Sequence, residues 1–585
     1  MSFKKVICVT LSGILLLGVL SGCGGNTTII KPQEEDNAMK YNYETRDWTM
    51  PEPAKVLDVV RFNSSDTSSG DASARILQGV INKKQPRVYI AKDWIKSINA
   101  ETVRQEILKT YGEVELQELV RDETDSHQGY SVFWTLFSKY HSEIERIFVY
   151  TNTVDLCDTI NVAAMLAGRN NGVAVDRHLA DQIIAAGYDL PVIDVVEYCG
   201  FTGENANAFA INQWICDHLV ENANNSIVVA LTPMARDEGS DFLPTYYDFA
   251  VATDSVIYNA SYIYLDKGKK LQQDILDQYP DNTPVIGWPG LYMEGEYVTS
   301  ISQCGKMVVC ADWGFDNGSV WAAFPQYTHP EPVTPIPETY EVKDTDVYVS
   351  FMVSDGDAWH FTTGDFLCFW NDPIRGTQPI GWTIPVLFTN YNPLMLEYIY
   401  DTATPMDNLM QGPSGISYIY PSKTPADSYS NFLDSTKKVF ADMGISMVNV
   451  WDPVVGDNTM IGENEALLEQ YIDAVQPDAL FRGHDSYTGS YRIYNNTIIM
   501  EEVGNFNGRG AMNTTDIINA IDTICAKTED GKPTFLMINV EAWGDCTAAL
   551  QPALDIIGQR EDADRYHFLT PAELVAAIET YEGLN

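Results

Sequence analysis

The sequence predicts an α/β protein in which N-terminal Rossmann-like α/β subdomains are followed by a C-terminal (β/α)8 TIM-like barrel. Short apolar runs alternate with helix-like stretches from about residue 55 to residue 337, which is typical of βαβ units in open sheets. Four prolines within residues 330–338 mark a boundary, because proline neither continues a helix nor joins a central strand. The residues that follow are about as many as one barrel of this type requires.

Individual elements can be assigned within the N-terminal region from its apolar runs and its helical periodicity. The predicted strands cover residues 56–60, 86–91, 146–150, 172–175, 226–231 and 306–311. The predicted helices cover residues 71–82, 159–167, 208–222 and 267–279. No GxGxxG follows the first strand, and neither GxxxxGKS nor GxxxxGKT occurs, so the sequence predicts no nucleotide site and no cofactor.

Eight strands and several helices can be laid out in the C-terminal region, as a barrel requires. The predicted strands cover residues 347–353, 380–386, 415–420, 446–451, 479–481, 497–500, 534–540 and 567–569. The predicted helices between them cover residues 428–443, 463–474, 515–527 and 548–557. A last helix follows Thr570, because Pro571 and Glu573 are the proline and the acid typical of a first helical turn.

The N-terminus has the features of a bacterial lipoprotein signal. Lys4 and Lys5 precede an apolar run at residues 6–20, and Leu20-Ser-Gly-Cys23 follows at once. These four residues resemble a lipobox, in which the cysteine is lipidated and becomes the new N-terminus. The apolar run is short for a helix that spans a bilayer. We therefore predict a signal peptide at residues 1–22, a lipid on Cys23, a tether at residues 23–50 and an extracytoplasmic protein anchored to the bacterial cell membrane.

Length and charge limit the domain organisation and the class of partner. The chain has 585 residues, which argues for several domains, and we divide it into an N-terminal region at residues 51–337 and a barrel domain at residues 338–585. The formal net charge is −44, so nucleic acid would be repelled. A neutral sugar meets no such repulsion, although the acidity also serves to keep an extracytoplasmic protein soluble. The oligomeric state cannot be read from the sequence.

Cysteine usage argues against a zinc site. Cys8 leaves with the signal and Cys23 carries the lipid, so eight of the 10 cysteines remain, without a CxxC pair among them. Cys304 and Cys310 could form a disulfide around the turn at Gly305. The alternative is that all of these cysteines are small buried hydrophobic residues.

Acids and aromatic residues follow several of the predicted barrel strands, where a barrel places its active site. The first strand stops at Ser354, and Asp355, Asp357, Trp359 and His360 come directly after it. Carboxylates with indoles suit carbohydrate, because indole faces stack on the C–H faces of sugars and acids bind hydroxyls or transfer protons. The comparable residues at the ends of other strands are Trp451 and Asp452, His484 and Asp485, Glu501 and Glu502, and Glu541 and Trp543.

The segment Gly415-Ile-Ser-Tyr418-Ile-Tyr420-Pro421 resembles the signature of the GxGYxYP family of glycoside hydrolases. Ser417 stands in place of the second glycine, which would reshape a site in which that glycine has a positive φ or lets a sugar approach the backbone. Residues 353–357 are similar to the SDGDN segment of the family, with Ala358 where asparagine is usual, and residues 77–87 and 161–168 are similar to its N-terminal segments. The resemblance implies N-terminal α/β subdomains, a C-terminal barrel and hydrolysis of an oligo- or polysaccharide.

We assign the acid, base or nucleophile of glycoside hydrolysis to Asp355, Asp357 and Glu541. Asp355 and Asp357 are two residues apart, so both face the same side of an extended segment, and their proximity would raise the pKa of one of them. Glu541 would oppose them from the seventh strand. The alternative is that Asp357 caps the turn and that Glu541 forms a buried ion pair with an arginine such as Arg482.

Substrate contacts are assigned to aromatic and polar residues near the same strand ends. The predicted binding residues are Trp359, Tyr418, Tyr420, Trp451, Asp452, His484, Asp485 and Trp543. The tryptophans could instead fill the core, and the tyrosines could be ordinary strand residues. Two rival functions stay open: a metal-dependent hydrolase such as a glycan deacetylase, with His360 or His484 among the ligands, and a non-catalytic glycan-binding lipoprotein. The favoured hypothesis includes no metal.

Overall fold

Three small parallel sheets form the N-terminal part of the structure, which is a computed structural model. It describes residues 41–45, 48, 50–92, 98–233, 244–288, 294–309, 314–452, 465–486, 489–504, 512–542 and 546–584. The strands are β1 (Val56–Phe62), β2 (Val88–Lys92), β3 (Glu115–Glu118), β4 (Arg146–Val149), β5 (Gly172–Val175), β6 (Val192–Asp194), β7 (Val228–Ala230), β8 (Val256–Tyr258), β9 (Pro284–Gly287) and β10 (Met307–Val309). Their orders are β2-β1-β3, β5-β4-β6 and β10-β9-β7-β8.

Helices alternate with these strands, as the apolar pattern predicts. They are α1 (Ser68–Lys84), α2 (Ile98–Thr110), α3 (Ser131–Tyr140), α4 (Thr159–Arg169), α5 (Arg177–Ala185), α6 (Val195–Cys199), α7 (Ala208–His218), α8 (Tyr247–Ala252), α9 (Asp266–Leu276), α10 (Glu294–Gln303) and α11 (Gly318–Trp321). Every strand and helix predicted for this region is present with slightly different ends, so its α/β character is confirmed. A Rossmann-like topology is not established by these small sheets and stays a prediction.

Parallel strands close into a barrel in the C-terminal region. The strands there are β11 (Val347–Val353), β12 (Ile380–Ile384), β13 (Asp407–Gln411), β14 (Met447–Val450), β15 (Ala479–Ser486), β16 (Tyr491–Tyr494), β17 (Thr497–Val503), β18 (Thr534–Asn539) and β19 (Tyr566–Leu569). Within the described residues the ring has seven strands and runs from β11 through β12, β13, β14, β15, β17 and β18 back to β11. All are parallel, so their carboxyl ends share one end of the barrel, where barrel enzymes place their active sites.

Two of the eight predicted barrel strands are placed differently. Residues 415–420 form bends and one isolated bridge, and the third strand is β13 instead. The last strand, β19, pairs with the first half of β11 on the edge that faces β12. It cannot close the ring between β18 and β11, because β18 already pairs with β11 from Val347 to Met352. The predicted eight-stranded ring is therefore corrected to seven strands, with β19 attached to its first strand.

Helices also follow the barrel strands. They are α12 (Trp359–Thr363), α13 (Asp365–Trp370), α14 (Phe388–Tyr391), α15 (Pro393–Thr402), α16 (Ala426–Met443), α17 (Glu465–Val475), α18 (Thr514–Cys525), α19 (Cys546–Ile557) and α20 (Pro571–Glu582). The predicted helices correspond to α16 through α19, and α20 begins with the capping box of Thr570 and Glu573. No helix in the described part of the chain is both long and apolar enough to cross a membrane.

Side chains that point into the barrel form layers, because every second residue of a strand faces the same side. One buried cluster contains methionines from five strands, namely Met352, Met410, Met447, Met500 and Met537. Two residues beyond the last three of these, on the same faces, are Asn449, Glu502 and Asn539. A polar layer therefore lies on a methionine layer, towards the carboxyl end of the barrel.

Several predictions fall on residues outside the described ranges. These include the signal peptide, most of the tether, the lipidated Cys23, Cys310 and Trp543. Cys304 is a free thiol, which corresponds to the alternative without a disulfide. The proposed domain boundaries stay predictions.

Candidate active site

A tight loop carries the first predicted acids beyond the end of β11. Asp355 adopts a left-handed backbone conformation with φ of 64°, and the N–H of Ala358 donates to its carbonyl at 3.1 Å. The N–H of Gly356 donates to Oγ1 of Thr383 on β12 at 3.0 Å, and that hydroxyl donates to the carbonyl of Val353 at 2.7 Å. A Cβ on Gly356 would lie 2.4 Å from the carbonyl carbon of Thr383, so only glycine allows this close approach. The loop is thus tied to two neighbouring strands.

Asp355 is a partly buried carboxyl group whose surroundings favour its protonated form. Burial, and then the negative charge of Glu294, raise the pKa of Asp355 to about 7. The hydroxyl of Ser354 donates to its Oδ2 at 3.2 Å and lowers that pKa only in part. No lysine or arginine of the described chain forms an ion pair with Asp355. Near neutral pH the group therefore holds a proton for part of the time, as a general acid must.

A further carboxyl group whose charge affects Asp355 is that of Glu294, which belongs to a helix outside the barrel. Glu294 is the first residue of α10, and its Oε1 accepts a hydrogen bond from the hydroxyl of Tyr418 at 2.8 Å. Burial raises the pKa of Glu294. The hydroxyl of Tyr418 also lies 3.3 Å from that of Tyr420. Burial, the charge of Glu294 and, more weakly, that of Asp357 raise the pKa of Tyr418, so both acids lie close to this phenol.

The segment at residues 415–421, the joint segment, connects the barrel to β10. The backbones of Tyr418 and Val308 form an antiparallel bridge with N···O distances of 3.2 and 2.9 Å. The hydroxyl of Ser417 donates to the same carbonyl of Val308, and the N–H of Tyr420 donates to Oγ of Ser302 at 3.0 Å. Ser417 is buried and has no positive φ. Its side chain therefore braces this joint.

Trp451 and Asp452 follow β14, as predicted, and lie at the same end of the barrel. Trp451 packs edge-on against Tyr418, with ring centroids 5.9 Å apart. Asp452 accepts hydrogen bonds from the N–H of Ser422 at 3.1 Å and from its hydroxyl at 2.8 Å, and burial raises the pKa of Asp452 to about 6. Asp452 thereby holds the turn that ends the joint segment, and its contact with substrate stays a prediction.

The polar layer of the barrel is centred on Glu502, whose exposed fraction is 0%. Nδ2 of Asn449 donates to one carboxyl oxygen, and Nδ2 of Asn539 donates to the other at 2.9 Å. Burial raises the pKa of Glu502 to about 8, and the charge of Glu541 adds to this, although hydrogen bonds from the two amides and from Trp451 oppose it. Glu502 is therefore mostly protonated at neutral pH.

Glu541 lies just beyond β18, in a left-handed conformation with φ of 57°. Its N–H donates to Oδ1 of Asn539 at 2.9 Å, and Asn539 in turn donates to Glu502, so the orientation of that amide is determined by both partners. Arg482 pairs with Glu501 at 3.0 Å. Arg482 and Glu501 lie on the face of β17 opposite Glu502, and the alternative that Glu541 forms a buried ion pair with an arginine stays a prediction.

The acids that follow the first and seventh ring strands lie at the same end of the barrel, because β11 and β18 are parallel neighbours. The charge of Asp357 raises the pKa of Tyr418, and the ring of Tyr418 packs against that of Trp451. A hydrogen bond from Trp451 lowers the pKa of Glu502, and the charge of Glu541 raises it. Asp357 is 9% exposed and Glu541 is 6% exposed. The fold thus places Asp355, Asp357 and Glu541 at the carboxyl end of the barrel, whose acidic and aromatic lining we call the wall. That the three acids share one site, and their catalytic roles, stay predictions.

Trp359, a predicted sugar platform, packs in the core. It begins α12, is 1% exposed, and its ring centroid lies 4.1 Å from that of Phe315 and 5.1 Å from that of Phe388. This position matches the alternative that the tryptophan fills the core, because α12 packs against Phe315 of the N-terminal part of the chain. Burial lowers the pKa of the adjacent His360, opposed by the charge of Asp316, so His360 faces that acid of the N-terminal part.

The remaining predicted binding residues are His484, Asp485 and Trp543, which lie partly or wholly outside the described residues. His484 and Asp485 belong to β15 itself, whereas the prediction placed them after that strand, and their side chains lie outside the described set. All of Trp543 also lies outside the described residues. Among the side chains that are described, no group of three His, Cys, Asp or Glu residues could hold a metal ion.

Sequence reasoning placed Glu502 at a strand end but missed Asn449, Asn539 and Glu294. Asn449, Glu502 and Asn539 each follow a methionine by two residues on a strand, a spacing that could have predicted a shared polar layer. Glu294 left no such signal, because its partner Tyr418 is 124 residues away in the chain.

Two family models match the chain. The model described as "GxGYxYP putative glycoside hydrolase C-terminal domain" matches residues 345–579, which contain the barrel. The model described as "GxGYxYP third domain" matches residues 227–323, which contain Glu294 and β10. No curated protein sequence matches the chain.

Solved structures give one similar fold. "A putative hydrolase from Bacteroides thetaiotaomicron VPI-5482" superposes with a TM-score of 0.71 at 18% identity, covering 90% of this chain and 95% of that one, which shows a shared fold. A "putative polysaccharide deacetylase from Mycobacterium smegmatis" is 12% identical and covers 44% of this chain and 96% of its own. Its TM-score of 0.27 is too low to indicate a shared fold.

Proposed function

The chain belongs to the GxGYxYP family of glycoside hydrolases, and from this premise we propose that it hydrolyses an oligo- or polysaccharide at the carboxyl end of its barrel. Glycoside hydrolysis needs one protonated acid and one carboxylate on either side of the scissile bond. The observation that carries the proposal is that Asp355, with a pKa of about 7, and Asp357 follow β11, while Glu541 follows the neighbouring parallel strand β18 at the same end of the barrel.

The chemistry divides between these three acids. Asp355 would donate its proton to the glycosidic oxygen as the bond between that oxygen and the anomeric carbon breaks. The carboxylate of Glu541, or that of Asp357, would stabilise the positive charge that develops on the sugar. It would either attack the anomeric carbon or take a proton from the water that attacks it. Both routes add one water across the bond and release two shorter sugars.

The composition of the wall favours a neutral glycan. Phenols, amides, an indole and carboxyl groups bind sugar hydroxyls and C–H faces. In the described part of the chain, Asp355, Glu294 and Glu502 have no lysine or arginine as an ion-pair partner. A uronic or sialic acid would meet repulsion here, whereas an uncharged hexose would not.

A screen of neutral oligosaccharides against the protein tests the proposal. We expect release of new reducing ends from at least one of them. Glu541→Gln is expected to lower kcat/KM by about 100-fold or more, because the amide neither attacks nor accepts a proton. Glu501→Gln is the matched control, since Glu501 lies on the other face of β17 with Arg482 and should leave turnover unchanged.

The outcomes separate the candidate functions. Unchanged turnover in Glu541→Gln would remove Glu541 from the chemistry. Binding of a glycan without turnover would favour a non-catalytic binding protein. Loss of turnover in the presence of a chelator would favour a metal-dependent hydrolase.

The same proposal includes a location for the activity, the outer face of the cell membrane. The lipobox-like segment that ends at Cys23 supports a lipid anchor, which would hold the enzyme at the outer face of the cell membrane. Growth of cells with a radioactive fatty acid should label the wild-type protein. An unlabelled protein in the soluble fraction would contradict the anchor.

A further inference from the structure

A buried carboxyl group in the middle of the barrel, that of Glu502, is not among the acids to which the reaction is assigned. It lies on β17, is 0% exposed, and forms no ion pair with a lysine or arginine in the described part of the chain. Burying an acid among apolar side chains is costly, and an apolar residue of similar size would fill the same space without that cost. The contribution of Glu502 therefore lies in the groups that it binds.

Each carboxyl oxygen of Glu502 binds one asparagine. Nδ2 of Asn449 on β14 donates to one oxygen, and Nδ2 of Asn539 on β18 donates to the other at 2.9 Å. In the ring, β18 is the neighbour of β17 on one side, whereas β15 separates β14 from β17 on the other. One side chain thus connects two strands that do not pair with each other.

The asparagine on β18 connects Glu502 to Glu541. Oδ1 of Asn539 accepts from the N–H of Glu541 at 2.9 Å, while Nδ2 of the same amide donates to Glu502. The N–H of Val540 donates to the carbonyl of Met352 at 2.9 Å, so β18 stays paired with β11 up to the residue before Glu541. Glu541 then adopts its left-handed conformation with φ of 57°, which costs free energy for a residue other than glycine. The hydrogen bond from its N–H to Asn539 offsets part of that cost.

We propose that Glu502 is a positioning residue, which holds the side-chain amide of Asn539 in the orientation that fixes the backbone of Glu541 at the carboxyl end of the barrel. This inference rests on the proposed hydrolysis, in which Glu541 acts on the sugar or on the attacking water. A side chain in that role must be held to within about half an ångström, and hydrogen bonds from buried neighbours supply this precision. Without Glu502 the amide of Asn539 can turn over and present its NH2 group to the N–H of Glu541. The hydrogen bond to that N–H is then lost.

The kinetics of full-length variants at Glu502 test the inference. Glu502→Leu removes both acceptor oxygens, and we expect kcat to fall by about 30-fold or more while KM changes by less than about threefold. Glu502→Gln keeps an acceptor for Asn539, so its kcat should stay within about fivefold of the wild-type value. Met500→Ala, two residues earlier on the same face of β17, is the matched control. It destabilises the barrel without removing a polar group, so its kcat should be unchanged well below its Tm.

Asn539→Leu and the double variant with Glu502→Leu test the path of the effect. If Glu502 acts through Asn539, the double variant loses no more kcat than the less active of the two single variants. Two losses that multiply would overturn the inference, and so would a loss in Met500→Ala as large as that in Glu502→Leu. Where Glu502→Leu does not fold, Glu502→Asp takes its place in these comparisons, because its carboxyl group is one methylene shorter and cannot reach both amides.

Hydrogen exchange at the backbone N–H of Glu541 needs no substrate. Asn539 accepts from this N–H in the wild type, so its exchange should be slow. We expect exchange at least about tenfold faster in Glu502→Leu, and close to the wild-type rate in Glu502→Gln and Met500→Ala. An unchanged rate in Glu502→Leu would overturn the inference. Faster exchange in a protein that cleaves no glycan would support the positioning of Glu541 and overturn only the proposed hydrolysis.

Discussion

Asp355→Asn is expected to lower kcat/KM on a natural glycan by about 10²- to 10⁴-fold, because asparagine cannot donate a proton to the glycosidic oxygen. The fold should be retained, since Asn is as large as Asp and tolerates the φ of 64° at this position. In the wild type, kcat/KM should fall as the pH rises above about 7, the pKa to which burial and Glu294 raise Asp355. Steady-state kinetics between about pH 5 and 9 measure both effects.

The leaving group separates a lost acid from a general loss of structure. An aryl glycoside with an acidic phenol needs little protonation, so Asp355→Asn should cleave it within about tenfold of the wild-type rate. Asp365→Asn, in the first turn of α13, is the control and should behave like the wild type on both substrates. Equal losses on the natural and the activated substrate would show that Asp355 is not the acid.

Glu502→Gln is expected to remove a large part of the pH dependence of stability. The Glu502 carboxyl group is 0% exposed, and burial raises its pKa from 4.5 to about 8. Between these pH values the folded protein keeps the proton, whereas the unfolded chain releases it. The contribution of Glu502 to the free energy of unfolding is therefore fully present below about pH 4.5 and is lost as the pH rises to about 8, a change on the order of 5 kcal/mol.

Thermal unfolding at about pH 5 and pH 8 measures this contribution. Glutamine is neutral at both pH values, and Asn449 can turn its amide to accept from the new NH2 group. We therefore expect the Tm of Glu502→Gln, relative to the wild type, to rise by several degrees between pH 5 and pH 8. Glu501→Gln loses the ion pair with Arg482 on the other face of β17, and its Tm difference should be the same at both pH values. A constant difference for Glu502→Gln would contradict a buried, protonated Glu502.

The position of the signature segment changes how its residues are understood. Tyr418 and Tyr420 alternate with isoleucines, which predicted a barrel strand with phenols at its rim. In the structure the segment pairs with β10 through Tyr418 and is held to α10 through Tyr420. Its tyrosines therefore connect the two parts of the chain and hold Glu294, in addition to any contact that they make with substrate.

β13 takes the place of the strand predicted at residues 415–420, and its sequence shows what apolar periodicity alone cannot predict. β13 has the sequence Asp-Asn-Leu-Met-Gln, which has no alternating apolar residues and yet is buried throughout. Asp407 is accommodated there because it accepts from Nε1 of Trp382 at 2.9 Å and forms an ion pair with Arg375. These partners are distant in the sequence, so no local pattern could have predicted them. Strands such as β11 and β18 bury mainly apolar side chains, and their patterns located them correctly.

The sequence by itself determined the α/β class, most helices and strands, the family, and the acids that follow β11 and β18, because each of these depends on a local period or a short motif. Only the tertiary structure decided that β19 lies outside the ring, that Arg482 pairs with Glu501, and that the carboxylate of Glu294 accepts a hydrogen bond from Tyr418. Those outcomes depend on which strand edge is free and on which side chains meet across more than a hundred residues. Such contacts are specified by the packing of the whole chain, so they leave no repeating pattern in the sequence around any one residue.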